Sequence, residues 1–148
     1  MIVVAQRCSS ASVSVDGGVV SKIDRGLLLL VGIEKEDGHS DIQKVVNKIS
    51  NLRIFEDENN KMNLSIMDVN GSLLVISQFT LCGSVKKGRR PSFGNAEIPE
   101  LSFILYENLI TSFKEVGIHT FGGSFGKMMN VELINEGPAT FIINSKEL

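Results

Sequence analysis

Four of the chain's fifteen Lys and Arg residues fall within five positions, Lys86-Lys87-Gly88-Arg89-Arg90, followed by Pro91 and Ser92. On a loop such a cluster is either solvated surface or a grip on phosphate, because cations gain free energy by displacing counterions condensed on nucleic acid. The occupant would be one phosphorylated end, such as a nucleotide or an RNA terminus. Ser77-Gln78-Phe79-Thr80 sits where an apolar run turns polar. A strand there either simply leaves the core or presents hydroxyls and backbone N–H groups at the rim of a sheet, where ligands dock. Asn135-Glu136-Gly137-Pro138-Ala139-Thr140 reads as a turn between strands. X-Pro bonds are cis in only about 5–6% of folded cases, so the dipeptide alone carries no special expectation. Conventional catalytic side chains are scarce. His39 precedes a helix start and His119 opens a strand, neither with Asp or Ser patterning around it, and both read as surface or satisfied histidines. Cys82 follows the Ser77–Thr80 segment and raises a cysteine hydrolase, although a thiol without a partner is mostly protonated at neutral pH.

The rest of the chain has to position these groups. Its 148 residues suit one domain, residues 1–148, and a chain of that size buries roughly 68–70% of its unfolded surface, enough for a core without metal or disulfide staples. Hydrophobic residues at 43% and charged residues at 22% exclude a disordered or collagen-like chain. A net charge of −2 excludes a wholesale basic coat for nucleic acid. Cys8 and Cys82 are too few and too far apart for a disulfide framework or a zinc site. The expectation is two reduced thiols in a cytoplasmic protein, with no metal and no cofactor. The opening Met1 to Arg7 has no cationic n-region, and the longest apolar run, Leu27 to Ile33, is interrupted by Gly32. A membrane helix needs about twenty residues, so no membrane partner is expected.

Ile2–Arg7, Ala11–Val15, Val19–Ile23 and Leu27–Ile33 read as strands, with Asp16-Gly17-Gly18 as a hairpin turn that supplies positive φ angles. Ile42, Val45, Val46, Ile49 and Leu52 share one face of a 3.6-residue period, and Ser40 with Gln43 has the spacing of a capping box at that helix's start. Arg53–Glu56 reads as a short strand before the polar turn Asp57–Asn60. Ser72–Phe79 alternates little, as a strand covered on both faces would. The aperiodic stretch Gly83–Pro99 is long enough to be functional. A second amphipathic helix runs through Leu101, Ile104, Leu105, Leu109, Phe113 and Val116, ended by Gly117 as its C′ residue. Ile118–Phe121, Met128–Asn135 and Ala139–Asn144 close the chain as strands. The order implies a single α/β domain in which mixed, curved, barrel-like sheets are covered by two amphipathic helices.

Ser77-Gln78-Phe79-Thr80-Leu81, Lys87-Gly88-Arg89-Arg90-Pro91-Ser92-Phe93 and Asn135-Glu136-Gly137-Pro138-Ala139-Thr140 resemble the signature segments of the D-aminoacyl-tRNA deacylases. The resemblance extends to Gln6-Arg7 with Ala11-Ser12-Val13, to Asn51–Phe55, to Lys61–Ser65, and to Gly126 and Met129. It covers essentially the whole chain in order. It implies a homodimeric hydrolase that cleaves the ester joining a D-amino acid, or glycine, to the terminal ribose of tRNA. By the resemblance, Ser77, Gln78, Phe79 and Thr80 line the catalytic pocket. Gly137-Pro138 is a cis peptide that enters the partner subunit's active site and selects chirality, Met129 flanks the pocket, and Arg7 braces the Gly-Pro turn. Lys86, Lys87, Arg89 and Arg90 are the expected tRNA contacts.

Few catalytic side chains suffice for such a substrate, because an aminoacyl ester is already activated and backbone donors can hold the developing oxyanion. The resemblance also assigns the substrate's own 2′-hydroxyl a part in activating water. Thr80 as a covalent nucleophile is the second reading, a non-catalytic module that binds tRNA ends is the third, and a Cys82 hydrolase the fourth. Two positions depart from the family pattern, Ala139 where Val is usual and Lys127 where a small residue is common. They put substrate range in question more than the reaction.

Overall fold

In a computed structural model describing residues 1–148, the elements run β1 (Ile2–Val15), β2 (Gly18–Ile23), β3 (Gly26–Gly32), α1 (His39–Asn51), β4 (Phe55–Glu56), β5 (Met62–Leu64), β6 (Ser72–Ser77), α2 (Pro99–Glu115), β7 (His119–Gly122) and β8 (Asn130–Asn144). The main sheet has the order β2-β1-β3-β6-β7, with β8 also paired to β1. β1 runs antiparallel to β2, β3 and β8, while β3–β6 and β6–β7 are parallel, the helices α1 and α2 lying within the crossovers between them. Ser21 Oγ on β2 donates to the Gly122 carbonyl on β7 at 2.7 Å, so the two ends of this path meet and the sheet nearly closes into a barrel. The expected architecture of curved mixed sheet and two helices is the one found.

Burial on both faces explains the run of large aliphatics in β3 and β6. Leu27, Leu29, Val31, Leu73 and Val75 pack with Ile42, Val45, Ile49, Leu109 and Phe113 of the helices. Leu28, Leu74 and Ile76 pack on the other face with Cys8, Val13 and Ile23.

Local expectations fared unevenly. Asp16 at φ 50° and Gly17 at φ 81° make the hairpin turn, and Gly117 at φ 91° ends α2. The capping box is displaced from its expected place: the N-cap is Gly38, whose N–H donates to the Asp41 carboxylate at 3.0 Å, while Gln43 bonds the His39 ring instead. A glycine at the cap leaves the reciprocal half of the box to the backbone, which Ser40-x-x-Gln43 spacing could not register. The first two strands expected are one strand, β1, and the last two are one strand, β8, because the antiparallel ladder between them absorbs its irregularities as register shifts around Cys8. β6 stops at Ser77, since Phe79–Cys82 winds into a 3₁₀ turn.

The chain ends are tied together by polar groups. The buried Met1 amino group donates to Asp37 Oδ1 at 2.6 Å and Ser145 Oγ at 2.9 Å, and Ser145 Oγ donates to Asp41 Oδ1 at 2.7 Å. Burial pushes the Asp41 carboxyl up, but the Ser145 and Gly38 hydrogen bonds and the Met1 and Lys44 cations outweigh it and hold it below its ordinary value. Asp57 is held low by the Lys61 and Asn59 N–H groups, and Asp68 by the Ser65 hydroxyl and N–H. Folded values below the unfolded one, about 3.9, mean stability that is present above that pH and lost as pH falls through the folded values. The thermal midpoint should therefore hold steady from neutrality down to about pH 5 and fall below about pH 4. A midpoint unchanged at pH 3 in calorimetry would contradict this.

Candidate functional site

Three parallel strands end side by side. Val31 on β3 pairs with Ser77 on β6, and Val75 pairs with Gly122 on β7, so the residues that follow form one rim at the carboxyl ends of the strands. At that rim Gln78 N–H still donates to the Val31 carbonyl at 2.7 Å, and the chain then turns, with Leu81 N–H donating to the Gln78 carbonyl and Gly83 N–H to the Thr80 carbonyl. The N–H groups of Phe79 and Thr80 are the first of this 3₁₀ turn and so have no partner within it. Two donors are thus left at the rim, beside the Thr80 hydroxyl, which accepts from Gln78 Nε2 at 2.5 Å.

The turn can sit this close because β3 ends in glycine. A Cβ on Gly32 would lie 2.9 Å from Leu81 Cβ and 3.1 Å from the Gln78 carbonyl oxygen. The interruption of the Leu27–Ile33 run is therefore the signal of a close backbone approach. On the outer side, exposed Phe79 meets Phe93 edge to face at 5.0 Å between centroids. Phe93 belongs to the segment that carries the cations. Ser84 and Ser92 exchange backbone hydrogen bonds of 2.8 and 2.9 Å and pinch that segment at its base. Lys86, Lys87, Arg89 and Arg90 are exposed beyond the pinch, and none forms an ion pair within the chain. On the far side, Met129 reaches the same strand end: a Cβ on Gly123 would lie 2.8 Å from Met129 Sδ and 2.9 Å from Ile76 Cδ1.

Cys82 is in the turn but faces inward. Its thiol donates to the Ile33 carbonyl at 3.4 Å, and burial first, then the Glu34 and Asp37 carboxylates, pushes its pKa up to about 11. A thiol so protonated is a poor nucleophile. His39 is on α1, bonded to Gln43, and His119 opens β7 at the opposite end from the rim.

Gly137 and Pro138 stand elsewhere. Gln6 pairs with Thr140 and Cys8 with Asn135, so Glu136 to Ala139 bulge outward opposite Arg7 alone. The Gly137–Pro138 bond is cis. Asn135 closes the base of the bulge, accepting from Ala139 N–H at 2.9 Å and donating to Thr140 Oγ1 at 2.8 Å. Arg7, only 3% exposed, braces it: Nε donates to the Glu136 carbonyl at 3.0 Å, Nη1 to the Ile54 carbonyl at 2.7 Å, and Nη2 to Glu56 Oε1 at 3.4 Å. Arg7 pairs with Leu27 and Leu27 with Leu73, whereas Ser77 pairs with Val31. The bulge and the rim are therefore four residues apart along the strands and three strands apart across the sheet, about 20 Å measured along the curved sheet at about 3.3 Å per residue and 4.8 Å per strand.

The family model described as D-Tyr-tRNA(Tyr) deacylase matches residues 4–144. The chain belongs to that deacylase family. Among its relatives are D-aminoacyl-tRNA deacylases of Persephonella marina (strain DSM 14350 / EX-H1), 54% identical over 100% of both chains, and of Clostridioides difficile (strain 630), 50% identical over 99% of both. A solved structure titled c-Myc DNA Unwinding Element Binding Protein superimposes with a TM-score of 0.93 at 37% identity, over 97% of this chain and 98% of that one. A probable eukaryotic D-amino acid tRNA deacylase shares the fold, with a TM-score of 0.80 at 17% identity over 96% and 98%. In this deacylase chain the structure gathers Ser77–Thr80, the cationic loop and Met129 at one rim. Arg7 and Gly137-Pro138 are gathered at another. The glycine within an apolar run is the sequence signal for Gly32, whereas Phe93, though part of the signature segment Lys87–Phe93, is paired with Phe79 by nothing in the spacing.

At φ 128°, Gly137 occupies backbone space that L side chains rarely adopt, and a Cβ there would lie 2.8 Å from Arg7 Nη2. Gly137→Ala should cost about 1–3 kcal/mol of unfolding free energy, read from urea denaturation. An unchanged midpoint would show that the bulge relaxes freely around Arg7.

Proposed function

We propose that this chain hydrolyses the ester between a D-amino acid, or glycine, and the terminal ribose of tRNA, as a homodimer in which Gly137-Pro138 of one protomer completes the Ser77–Thr80 pocket of the other. The observation that carries the shared site is the register that sets the two motifs four residues apart along the strands and three strands apart across the sheet, so that they do not face one another within one chain. The bulge projects from β8, whose outer edge is unpaired and whose exposed residues include Ile134 and Ile142, a strand edge suited to cover by a second copy.

The Phe79 and Thr80 N–H groups, unpartnered within their turn, support the oxyanion role, because fixed donors at the rim need no reorganisation as charge develops on the ester oxygen. With the substrate's 2′-hydroxyl helping to activate water, no side-chain base is required. Covalent catalysis by Thr80 is disfavoured by its one hydrogen-bond partner, Gln78, whose amide cannot take its proton. The Gly137 and Pro138 carbonyls would occupy the side of the pocket into which an L side chain projects. Glycine, lacking a side chain, escapes that rejection. The exposed, unpaired cations beyond Ser84 and Ser92 would meet the phosphates of the acceptor end.

D-tyrosyl-tRNA should be turned over many times per enzyme and its L counterpart spared; binding without turnover at stoichiometric enzyme would leave a tRNA-end binding module. Phe79→Pro deletes one donor while suiting the first position of the turn, and should lower kcat by about 10²–10³. Thr80→Val should keep most turnover, and its inactivation in a folded variant would hand the reaction to the hydroxyl. Gly137→Ala should also lower turnover by moving the Gly-Pro turn, and mixing it with Phe79→Pro protomers creates heterodimers with one intact site. Recovered activity supports the shared pocket, and no recovery despite subunit exchange refutes it.

Reversing Arg89 and Arg90 to Glu should weaken tRNA binding and reduce the dependence of log K on log salt by about one for each phosphate no longer neutralised. An unchanged slope, measured by filter binding across salt, would return those residues to plain surface.

A further inference from the structure

The hydroxyl of Tyr106 is buried among aliphatic and aromatic side chains, where a phenylalanine would fill nearly the same space. It donates to the Val75 carbonyl at 2.8 Å and accepts from Gly123 N–H at 3.0 Å. Gly123 N–H also reaches the Val75 carbonyl directly at 3.1 Å, so the hydroxyl does not rescue an orphaned backbone group. Its effect is geometric. Val75↔Gly122 is the last pair of the β6–β7 ladder, and Gly123 is where the chain leaves the sheet. Both glycines there lie close to their neighbours: a Cβ on Gly122 would lie 2.9 Å from the Tyr106 hydroxyl and from Ile110 Cδ1, and one on Gly123 would displace the ends of the Met129 and Ile76 side chains.

The segment leaving at Gly123 is held at two further points. Phe125 packs on Tyr106 and on Phe103, with ring centroids 5.6 and 5.3 Å apart. After the Gly126 turn at φ 72°, Met129 returns to Ile76, the residue before Ser77. Met128 between them is 90% exposed, so the segment is anchored at its ends and open to solvent in the middle.

We propose that Tyr106 is a positioning residue for the amino-acid pocket: its hydroxyl brackets the Val75 carbonyl to the Gly123 N–H, its ring seats Phe125, and together they fix where Met129 stands at the end of β6. The bracket rests on the reading of Met129 as a pocket wall. Burial pushes the Tyr106 pKa up to about 12, so the hydroxyl keeps its proton and its donor role across the working range of pH.

The test uses the full chain labelled with ¹³C at the methionine methyls, Met129 being assigned by its loss in Met129→Leu. In Tyr106→Phe the Met129 resonance should shift and broaden while those of Met62 and Met67 stay in place. The variant's kcat on D-aminoacyl-tRNA should fall about tenfold with KM unchanged within about twofold, the split expected when reacting groups are misplaced but tRNA contacts are kept. A Met129 resonance that does not move in the folded variant overturns the bracket. A resonance that moves with kcat unchanged overturns its role in turnover and, with it, Met129 as a pocket wall. Loss of all turnover in the wild-type enzyme would instead count against the deacylase reading, leaving the resonance to decide the bracket. Should Tyr106→Phe fail to fold, Phe125→Leu, at a partly exposed position, must move the same resonance for the bracket to survive.

Discussion

The structure depends on β6 being flanked by parallel neighbours and buried on both faces. A strand in that situation has no freedom to slide, because a one-residue slip would exchange Leu73 and Val75 with Leu74 and Ile76 between two separate cores. Its end is therefore fixed in three dimensions by the packing of the whole domain. Gly32 then admits the turn of Phe79–Cys82 against β3, and the turn's first two N–H groups, without partners inside it, stand at the rim. Preorganisation of this kind is what a site poor in ionisable side chains requires, since fixed dipoles stabilise developing charge only if they need not move.

A second constraint comes from Arg7. A guanidinium that is 3% exposed must have its donors satisfied, and here they run to the Glu136 and Ile54 carbonyls and to Glu56. The same contacts that satisfy the charge hold the bulge of β8 away from its own sheet and joined to the segment after α1. The bulge and the Ser77–Thr80 rim are thus held by separate contacts, four residues apart along the strands and three strands apart across the sheet.

Fold and site were legible to different degrees, for identifiable reasons. The two-sided apolar runs of β3 and β6, the 3.6-residue period of α1 and the turn at Asp16-Gly17 are local patterns, and local pattern was enough to place them. The merging of two short strands into β1 and of two into β8 was not legible, because bulges around Cys8 keep a ladder continuous across residues that look like breaks. The helix cap moved to Gly38 because the Asp41 carboxylate, accepting from the Gly38 N–H, takes the part that Gln43 suggested. Among site residues, the motifs were visible as runs. What the sequence withheld was their distribution: spacing along the chain puts Thr80 and Pro138 in no relation, whereas pairing across four strands puts them at opposite ends of one sheet.

The bracket at Tyr106 extends the same logic to the remaining side of the rim. Phe79 and Thr80 are placed by β6 itself, and the cationic loop is tethered through Phe93 and the Ser84–Ser92 pinch, but Met129 arrives on a segment with no strand of its own until Asn130. A pocket wall carried by such a segment would be the least determined part of an otherwise rigid site. Two hydroxyls offset this at the point of departure: Ser21 donates to the Gly122 carbonyl from the barrel's closing strand, and Tyr106 accepts from the next N–H from the helix side. Closure of the barrel and the hold on the segment that carries Met129 are thus made at adjacent residues, Gly122 and Gly123. Loosening one hydroxyl should displace the wall without opening the core, which is the property that separates a positioning role from a merely structural one.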